Sequence, residues 1–172
     1  MKTIGSAGAP LLGAAVAAAG ILAGAATAAA QEGPVRIGLL LPFTGQYAWV
    51  GGNVEPVARM VAEEVETAGG LGGRAIAFVQ GDTEGTVDAG TTAANKLVNV
   101  DEVVALVGPT SLSFSGARNT ILESGTPMVS PTAGTTALDR ADKALLFRTV
   151  PSDSLGGQAI ARAATDGRYL GE

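Results

Sequence analysis

The 172-residue chain contains no cysteine and no histidine. Without cysteine it has no disulfide, no thiolate nucleophile, no zinc–thiolate site and no cysteine to carry a lipid anchor. Without histidine it lacks the commonest general base and metal ligand near neutral pH, so a Ser-His-Asp triad is excluded. These absences exclude the commonest catalytic and metal-binding arrangements, and we expect a protein that is not an enzyme and that needs no metal and no cofactor.

Runs of positive charge are also missing. The eleven Lys and Arg residues are scattered along the chain, and the formal net charge is −5 at pH 7. Nucleic acids and anionic lipids are bound through clustered Lys and Arg. The composition therefore argues against both as partners.

The first thirty residues have the features of a secretory signal peptide. Lys2 supplies a positive start, residues 4–26 carry no charge, and residues 28–30 are three alanines that suit a cleavage site. The uncharged stretch is long enough to span a bilayer, but its Ala and Gly content makes it only weakly hydrophobic. We therefore expect export and cleavage, with Gln31 as the new terminus, rather than a membrane anchor.

The rest of the chain alternates apolar runs with amphipathic segments. Apolar runs bounded by Gly or Pro predict strands near 35–41, 75–80, 103–107, 127–130 and 145–149. Helical spacing predicts a first helix that is capped by Asn53 and has Pro56 in its first turn, and further helices near 86–99, 113–123 and 154–164. Because strands and helices alternate, we predict an α/β fold with a doubly wound parallel sheet.

Four stretches carry a family likeness. They are IGLLLPFTG at 37–45, AGGLGGR at 68–74, ANKLV with VALVGP at 94–98 and 104–109, and GTPMVSPTA with FRTVPSD at 125–133 and 147–153. In this order they resemble the type I periplasmic substrate-binding proteins of ABC transporters, in particular the branched-chain amino acid (Leu/Ile/Val) group. The likeness implies a lobe of the type I periplasmic binding fold and covers about the first third of a typical two-lobed member.

The resemblance also implies a domain division and a function. Residues 1–30 would be the signal peptide, 31–150 the first ligand-binding lobe, and 151–172 a hinge crossing with the first helix of a truncated second lobe. The implied function is capture of a branched-chain or similar small amino acid, or an amide, in the periplasm by a monomer that delivers it to an ABC transporter permease. Because two lobes close over the ligand in this family, we expect the single lobe to bind poorly.

The residues by themselves leave three other functions open. The chain could be a ligand-sensing receptor ectodomain of the same fold, or a truncated fragment without function. A small α/β enzyme is a third reading, but a dinucleotide-binding enzyme would need Gly-x-Gly-x-x-Gly directly after the first strand. The glycines at 38, 45, 51 and 52 do not have that spacing.

The candidate ligand site follows from the sheet. In an open parallel sheet the ligand lies beyond the carboxyl ends of the strands, here loops 42–53, 108–113 and 130–136. The resemblance implies that hydroxyls and backbone groups of the two later loops hold the ligand's carboxylate and ammonium, and that the first loop supplies an apolar wall. The predicted ligand-binding residues are Trp49, Ser111, Ser113, Thr132, Ala133 and Thr135.

Some of these residues have a structural alternative. Helix capping explains Ser111 and Ser113 equally well. Packing of the first loop against the first helix is an equal role for Trp49, the only Trp of the chain. Asp82, which follows the second strand, is interpreted as a loop or cap residue because no partnered base is available to make it a catalytic acid.

The first testable prediction concerns export. In a bacterial host that secretes the protein, we expect the mature chain to begin at Gln31, because the small residues at 28–30 are what a signal peptidase reads. N-terminal sequencing of the exported material measures this. A protein that still begins at Met1 and stays in the membrane fraction would contradict it.

Overall fold

Helices flank a five-stranded parallel sheet in the computed structural model, which describes residues 33–140 and 144–166. The strands are β1 Val35–Leu41, β2 Ile76–Asp82, β3 Ala105–Val107, β4 Met128–Ser130 and β5 Leu146–Arg148. The helices are α1 Ala48–Thr67, α2 Val87–Asn99, α3 Ser111–Ser124 and α4 Asp153–Thr165, with a 3-10 turn at Thr136–Arg140. The predicted signal peptide lies outside the described residues.

The strand order is β2-β1-β3-β4-β5, and every neighbouring pair is parallel. The chain therefore moves outward from β1 in both directions, first to β2 and then through β3 to β5. The order reverses beside β1, and at such a switch point the loops after two adjacent strands turn to opposite faces and leave a crevice. The prediction of an α/β fold with a doubly wound parallel sheet is confirmed.

The core has one layer on each side of the sheet. Leu40 faces the larger cluster, which α2 and α3 build together with β3, β4 and β5. Leu39 and Leu41 face the opposite side, where Val50 of α1 covers them. All three leucines are fully buried, which explains why β1 is apolar throughout rather than alternating.

Two glycines let α2 and α3 pack closely. A Cβ atom at Gly116 would lie 2.1 Å from the carbonyl oxygen of Val87, and one at Gly90 would lie 2.9 Å from that of Ser113. The start of α2 is fixed separately, because the hydroxyl of Thr86 accepts a hydrogen bond from the amide of Ala89. This packing holds the first turn of α3 at the carboxyl edge of the sheet.

The predicted start of the first helix is wrong. The sequence placed its cap at Asn53, but α1 begins at Ala48 and Pro56 lies inside it rather than in its first turn. The reason is tertiary, since the amide of Gly51 donates to the carbonyl of Pro42 at 3.2 Å and docks the early turns of α1 against the end of β1. Gly52 is exposed, so the carbonyl that Pro56 cannot bond is open to water.

Helix α4 has none of its residues buried. Its cap is well formed, because the hydroxyl of Ser152 accepts from the amide of Ser154 at 3.1 Å. Leu155 and Ile160 are nevertheless 58% and 72% exposed, so the apolar side of α4 has no cover among the described residues. Within that part of the chain no helix combines the length and apolar character needed to cross a membrane.

The two adjacent glycines of α1 give a matched stability test. A Cβ atom at Gly51 would lie 2.6 Å from the carbonyl oxygen of Pro42, whereas one at Gly52 would meet nothing within 4 Å. We expect Gly51→Ala to lower the free energy of unfolding by about 1–3 kcal/mol through overpacking. Gly52→Ala should raise it by up to about 1 kcal/mol because Ala is the better helix former.

Urea unfolding of the two variants beside the parent measures both changes. Shifts of the same sign and size in the two variants would contradict the close approach of α1 to β1.

Candidate functional site

A cleft of about 290 Å³ opens at the carboxyl edge of the sheet, beside the switch point. The start of α1 forms one side of it and the start of α3 the other, with the loop after β4 below them. Its lining residues are Tyr47, Trp49, Val50, Thr110, Ser111, Leu112 and Thr132. The cleft thus has an aromatic side and a hydroxyl side. Tyr47 and Trp49 form the aromatic side, and we call their two side chains the aromatic wall.

The first turn of α3 presents free backbone donors to the cleft. The first hydrogen bond of the helix runs from the amide of Phe114 to the carbonyl of Thr110 at 2.9 Å. The side chain of Thr110 makes no capping bond, so the preceding amides of residues 111–113 have no intrahelical acceptor. Together with the positive end of the helix dipole, these amides favour an anionic group.

Ser111 joins α3 to the loop after β4. Its hydroxyl oxygen accepts a hydrogen bond from the amide of Thr135 at 3.3 Å. The hydroxyl proton of Ser111 can still be donated to a group in the cleft, since the bond to Thr135 uses only the oxygen. Ser111 therefore orders the loop and retains a donor for a ligand.

Ser130, at the end of β4, organises the loop that follows it. Its buried hydroxyl donates to the carbonyl of Pro109 at 2.6 Å and accepts from the amides of Thr132 and Ala133 at 3.3 and 2.8 Å. The amides of Thr132 and Ala133 are therefore directed inward. The hydroxyl oxygen of Thr132, in contrast, is buried without a hydrogen-bond partner, the one such side-chain atom in the described ranges 33–140 and 144–166.

Arg148 supports the same loop from β5. Its guanidinium donates to the carbonyls of Gly134 and Thr135, the latter at 3.0 Å, and pairs with the carboxylate of Asp139. The hydroxyls of Ser152 and Ser154 also donate to Asp139, at 2.7 and 3.0 Å. One carboxylate therefore links the loop after β4, the end of β5 and the start of α4.

The pKa of Asp139 reflects these contacts. The hydrogen bond from Ser152, then the hydrogen bond from Arg148, hold the pKa of Asp139 below its ordinary value, since they favour the ionised carboxylate. The hydrogen bond from Ser154 acts in the same direction, and partial burial opposes all three. The carboxylate is therefore charged throughout the neutral range.

The structure brings together three of the six predicted ligand-binding residues. Trp49, Ser111 and Thr132 line the cleft, and Thr135 lies behind Ser111 as its hydrogen-bond donor. Trp49 is 66% exposed, so it is not a packing residue of the core.

Ser113 and Ala133 lie outside the lining of the cleft. Both are fully buried. Ser113 is turned inward because α3 begins two residues earlier than the sequence indicated. The Ser113 hydroxyl lies 3.3 Å from that of Thr110. Ala133 is part of the core on the α2 and α3 side of the sheet.

Sequence reasoning missed Tyr47, Val50, Thr110 and Leu112 as lining residues. Thr110 had a usable signal, because Thr directly after Gly108-Pro109 is typical of a helix cap. The other three lie within loops 42–53 and 108–113, which the sequence placed at the site, but which side chains face the cleft depends on where α1 and α3 begin. No group of three Asp or Glu side chains in the described part of the chain lies close enough to hold a metal ion.

Comparison with known proteins agrees with this geometry. The sequence profile of the periplasmic binding protein family matches residues 34–169. The chain belongs to this family. The chain is 30% identical over 143 residues to the Leu/Ile/Val-binding protein BraC3 of Rhizobium johnstonii. The aligned segment covers 83% of this chain and 39% of that relative.

A second curated relative is the leucine-, isoleucine-, valine-, threonine- and alanine-binding protein of Pseudomonas aeruginosa. It is 30% identical over 141 residues, which make up 81% of the chain and 38% of the relative. This chain therefore spans less than two fifths of the length of the curated relatives it matches.

Solved structures give the same fold. The branched-chain amino acid transporter substrate-binding protein LivJ of Streptococcus pneumoniae, solved with isoleucine, matches with a TM-score of 0.69 and 27% identity over 77% of this chain and 38% of that one. An ABC transporter solute-binding protein of R. palustris, solved with benzoate, matches with a TM-score of 0.67 and 29% identity over 77% and 37%. The sheet and its helices are thus a lobe of the type I periplasmic binding fold, and the predicted resemblance is confirmed.

The lowered pKa of Asp139 predicts a pH dependence of stability. Because the folded-state pKa is depressed, the contribution is fully present above the ordinary Asp value of about 4 and is lost as the pH falls through the folded-state value. Asp139→Asn should melt at a lower temperature than the parent at pH 7, and the difference should shrink below about pH 4. Thermal unfolding followed by circular dichroism between neutral and acid pH measures this.

Glu123→Gln serves as the control, because Glu123 is exposed near the end of α3. Its melting temperature should follow that of the parent at every pH. A constant gap between Asp139→Asn and the parent down to the lowest pH would contradict the assigned role of the carboxylate.

Proposed function

We propose that this chain is the first lobe of an extracytoplasmic substrate-binding component of an ABC transporter. In this proposal the lobe captures a branched-chain or similar small amino acid in the periplasm, as a monomer, for delivery to the permease. The observation that supports it most is the open amino-terminal turn of α3, which faces a cleft that also contains the Ser111 hydroxyl. A carboxylate is the group that suits such a turn.

The proposed ligand pose has three parts. The carboxylate accepts hydrogen bonds from the amides of the first turn of α3 and from the hydroxyl of Ser111. The unpartnered hydroxyl of Thr132 supplies a further polar contact after rotation about its Cα–Cβ bond, which relieves the cost of leaving it unpaired. The aliphatic side chain of the ligand lies against the aromatic wall.

Groups outside the described lobe complete the site in this proposal. The lining residues include no Asp or Glu, so the ligand's ammonium would pair with groups on a second lobe. The relatives named above are each more than twice as long as this chain. A pocket that closes over a small ligand buries most of the ligand's surface. We therefore propose that the lobe alone binds weakly.

A second candidate ligand is an aromatic carboxylate. It is favoured by the aromatic wall, whose rings are 42% and 66% exposed at Tyr47 and Trp49 and can stack on a ligand ring. The R. palustris relative was solved with benzoate. Benzoate also needs no partner for an ammonium group, which fits a cleft without an acidic lining residue.

Calorimetric titration tests the ligand class. The chain, and the chain joined to the second lobe of BraC3, would be titrated with leucine, isoleucine, valine, benzoate and urea. We expect the two-lobed protein to bind one of the carboxylates and not urea, and the single lobe to bind far more weakly. Micromolar or tighter binding by the folded single lobe would contradict the need for a second lobe, and chemical turnover of any of these compounds would point to an enzyme.

Two serines of α3 make a matched pair for the carboxylate contact. Ser111 lines the cleft, whereas Ser115 is exposed one turn further along the same helix. In the two-lobed protein, Ser111→Ala should weaken carboxylate binding by about tenfold or more, since a hydrogen bond to a charged group is worth roughly 1.5–3 kcal/mol. Ser115→Ala should leave the affinity unchanged; equal effects would exclude the proposed pose.

A further inference from the structure

One residue of the aromatic wall, Tyr47, ends a loop that is tied to a neighbouring strand, whereas Trp49 lies in the first turn of α1. Residues 42–47 connect β1 to α1, and Asp82 is the last residue of β2, paired in register with Leu41 at the end of β1. Asp82 does not line the cleft. Asp82 therefore makes no direct contact with a ligand in the cleft, and the groups that it holds belong to this loop and to the loop after β2.

The carboxylate of Asp82 accepts four hydrogen bonds from two loops. One oxygen accepts from the amides of Phe43, Thr44 and Glu84 at 2.9, 3.3 and 2.9 Å. The other oxygen accepts from the hydroxyl of Thr44 at 2.6 Å. One side chain thus binds the loop after β1 and the loop after β2 together.

The two loops also touch directly. Gly85 has a positive φ of 70°, and a Cβ atom there would lie 2.5 Å from the ring of Tyr47. A Cβ atom at Gly45 would lie 3.1 Å from the carbonyl oxygen of Glu84. The ring of Tyr47 therefore rests on the backbone of the turn that Asp82 organises.

The protonation state of Asp82 agrees with this arrangement. Burial acts to raise the pKa of Asp82, but the hydrogen bonds from Thr44, Glu84 and Phe43 together lower it below its ordinary value. The side chain is therefore a carboxylate at neutral pH, with two oxygens that can only accept hydrogen bonds. This is the form that the four donors require.

We propose that Asp82 is a positioning residue that sets the place of Tyr47 in the aromatic wall by holding the loop after β1 against the end of β2. This inference rests on the proposed function only in treating the wall as part of a ligand site. The position of the loop is a property of the unliganded chain and can be tested without a ligand.

Nuclear magnetic resonance of the unliganded chain tests the position of the loop. Because Gly85 packs against the ring of Tyr47, its α-proton signals should carry a ring-current shift in the parent. In Asp82→Ala we expect that shift to be lost and the amides of Phe43 and Thr44 to exchange with solvent faster, while amides in the middle of β1 stay protected. Unchanged Gly85 signals and unchanged exchange at residues 43 and 44 would overturn the proposal.

Milder variants keep the test valid if Asp82→Ala fails to fold. Asp82→Asn retains one oxygen acceptor, and Thr44→Val removes a single donor, so each should give a smaller shift of the Gly85 signals in the same direction. Asp101→Ala is the matched control, because Asp101 pairs with Lys96 at 2.6 Å in the connection that precedes β3. It should leave the signals of Gly85 and Phe43 unchanged, and an equal change in this control would overturn the proposal.

The same spectra, recorded while isoleucine or benzoate is added, can measure dissociation constants in the millimolar range. We expect Asp82→Asn to weaken binding by about two- to thirtyfold, as mutations without ligand contact can do. Displacement of the loop with no binding by the parent would still support the positioning of the loop, and a two-lobed protein that also binds neither ligand would contradict the proposed function. Displacement of the loop with unchanged affinity would show that the aromatic wall does not serve the ligand, and would overturn this role of Asp82.

Discussion

The burial of β1 on both faces is the constraint on which the rest of the structure depends. Leu40 is covered from one side by the layer of α2 and α3, and Leu39 and Leu41 are covered from the other side by α1. The same strand is hydrogen-bonded to β2 on one edge and β3 on the other. Because the chain leaves β1 toward one face and β3 toward the other, the loops after these strands separate and create the cleft.

The loops after β1 and β4 are each held by polar side chains that do not line the cleft. Asp82 fixes the loop after β1, Ser130 fixes the loop after β4, and Arg148 supports that second loop from β5. All three residues form hydrogen bonds with backbone groups that would otherwise be unpaired. The lining residues that these loops carry, Tyr47 and Thr132, are thereby placed without a ligand, and such preorganisation lowers the entropy lost on binding.

In the proposed function the cleft is one half of a binding site. It offers unpaired amides, hydroxyls and two aromatic rings on one side of a guest, and it is open to solvent on the other. Hydrogen bonds to a ligand are weak while water competes for the same donors. The strength of such a site therefore depends on what closes over it, and this accords with relatives of more than twice the length of the chain.

The sequence by itself determined the class of fold, because each strand contains a local apolar run that has a Gly or Pro at or near at least one of its ends. All five predicted strands were found within two residues of their places. Only the tertiary structure decided that α1 begins at Ala48, since the docking of Gly51 on Pro42 outweighs the low helix propensity of two glycines. It also decided that Ser113 is turned inward while Ser111 lines the cleft, because two residues along a helix reverse the direction of a side chain. The role of Asp82 was hidden for the same reason: its partners at Phe43 and Thr44 lie about forty residues away in sequence and meet it only when β1 and β2 pair.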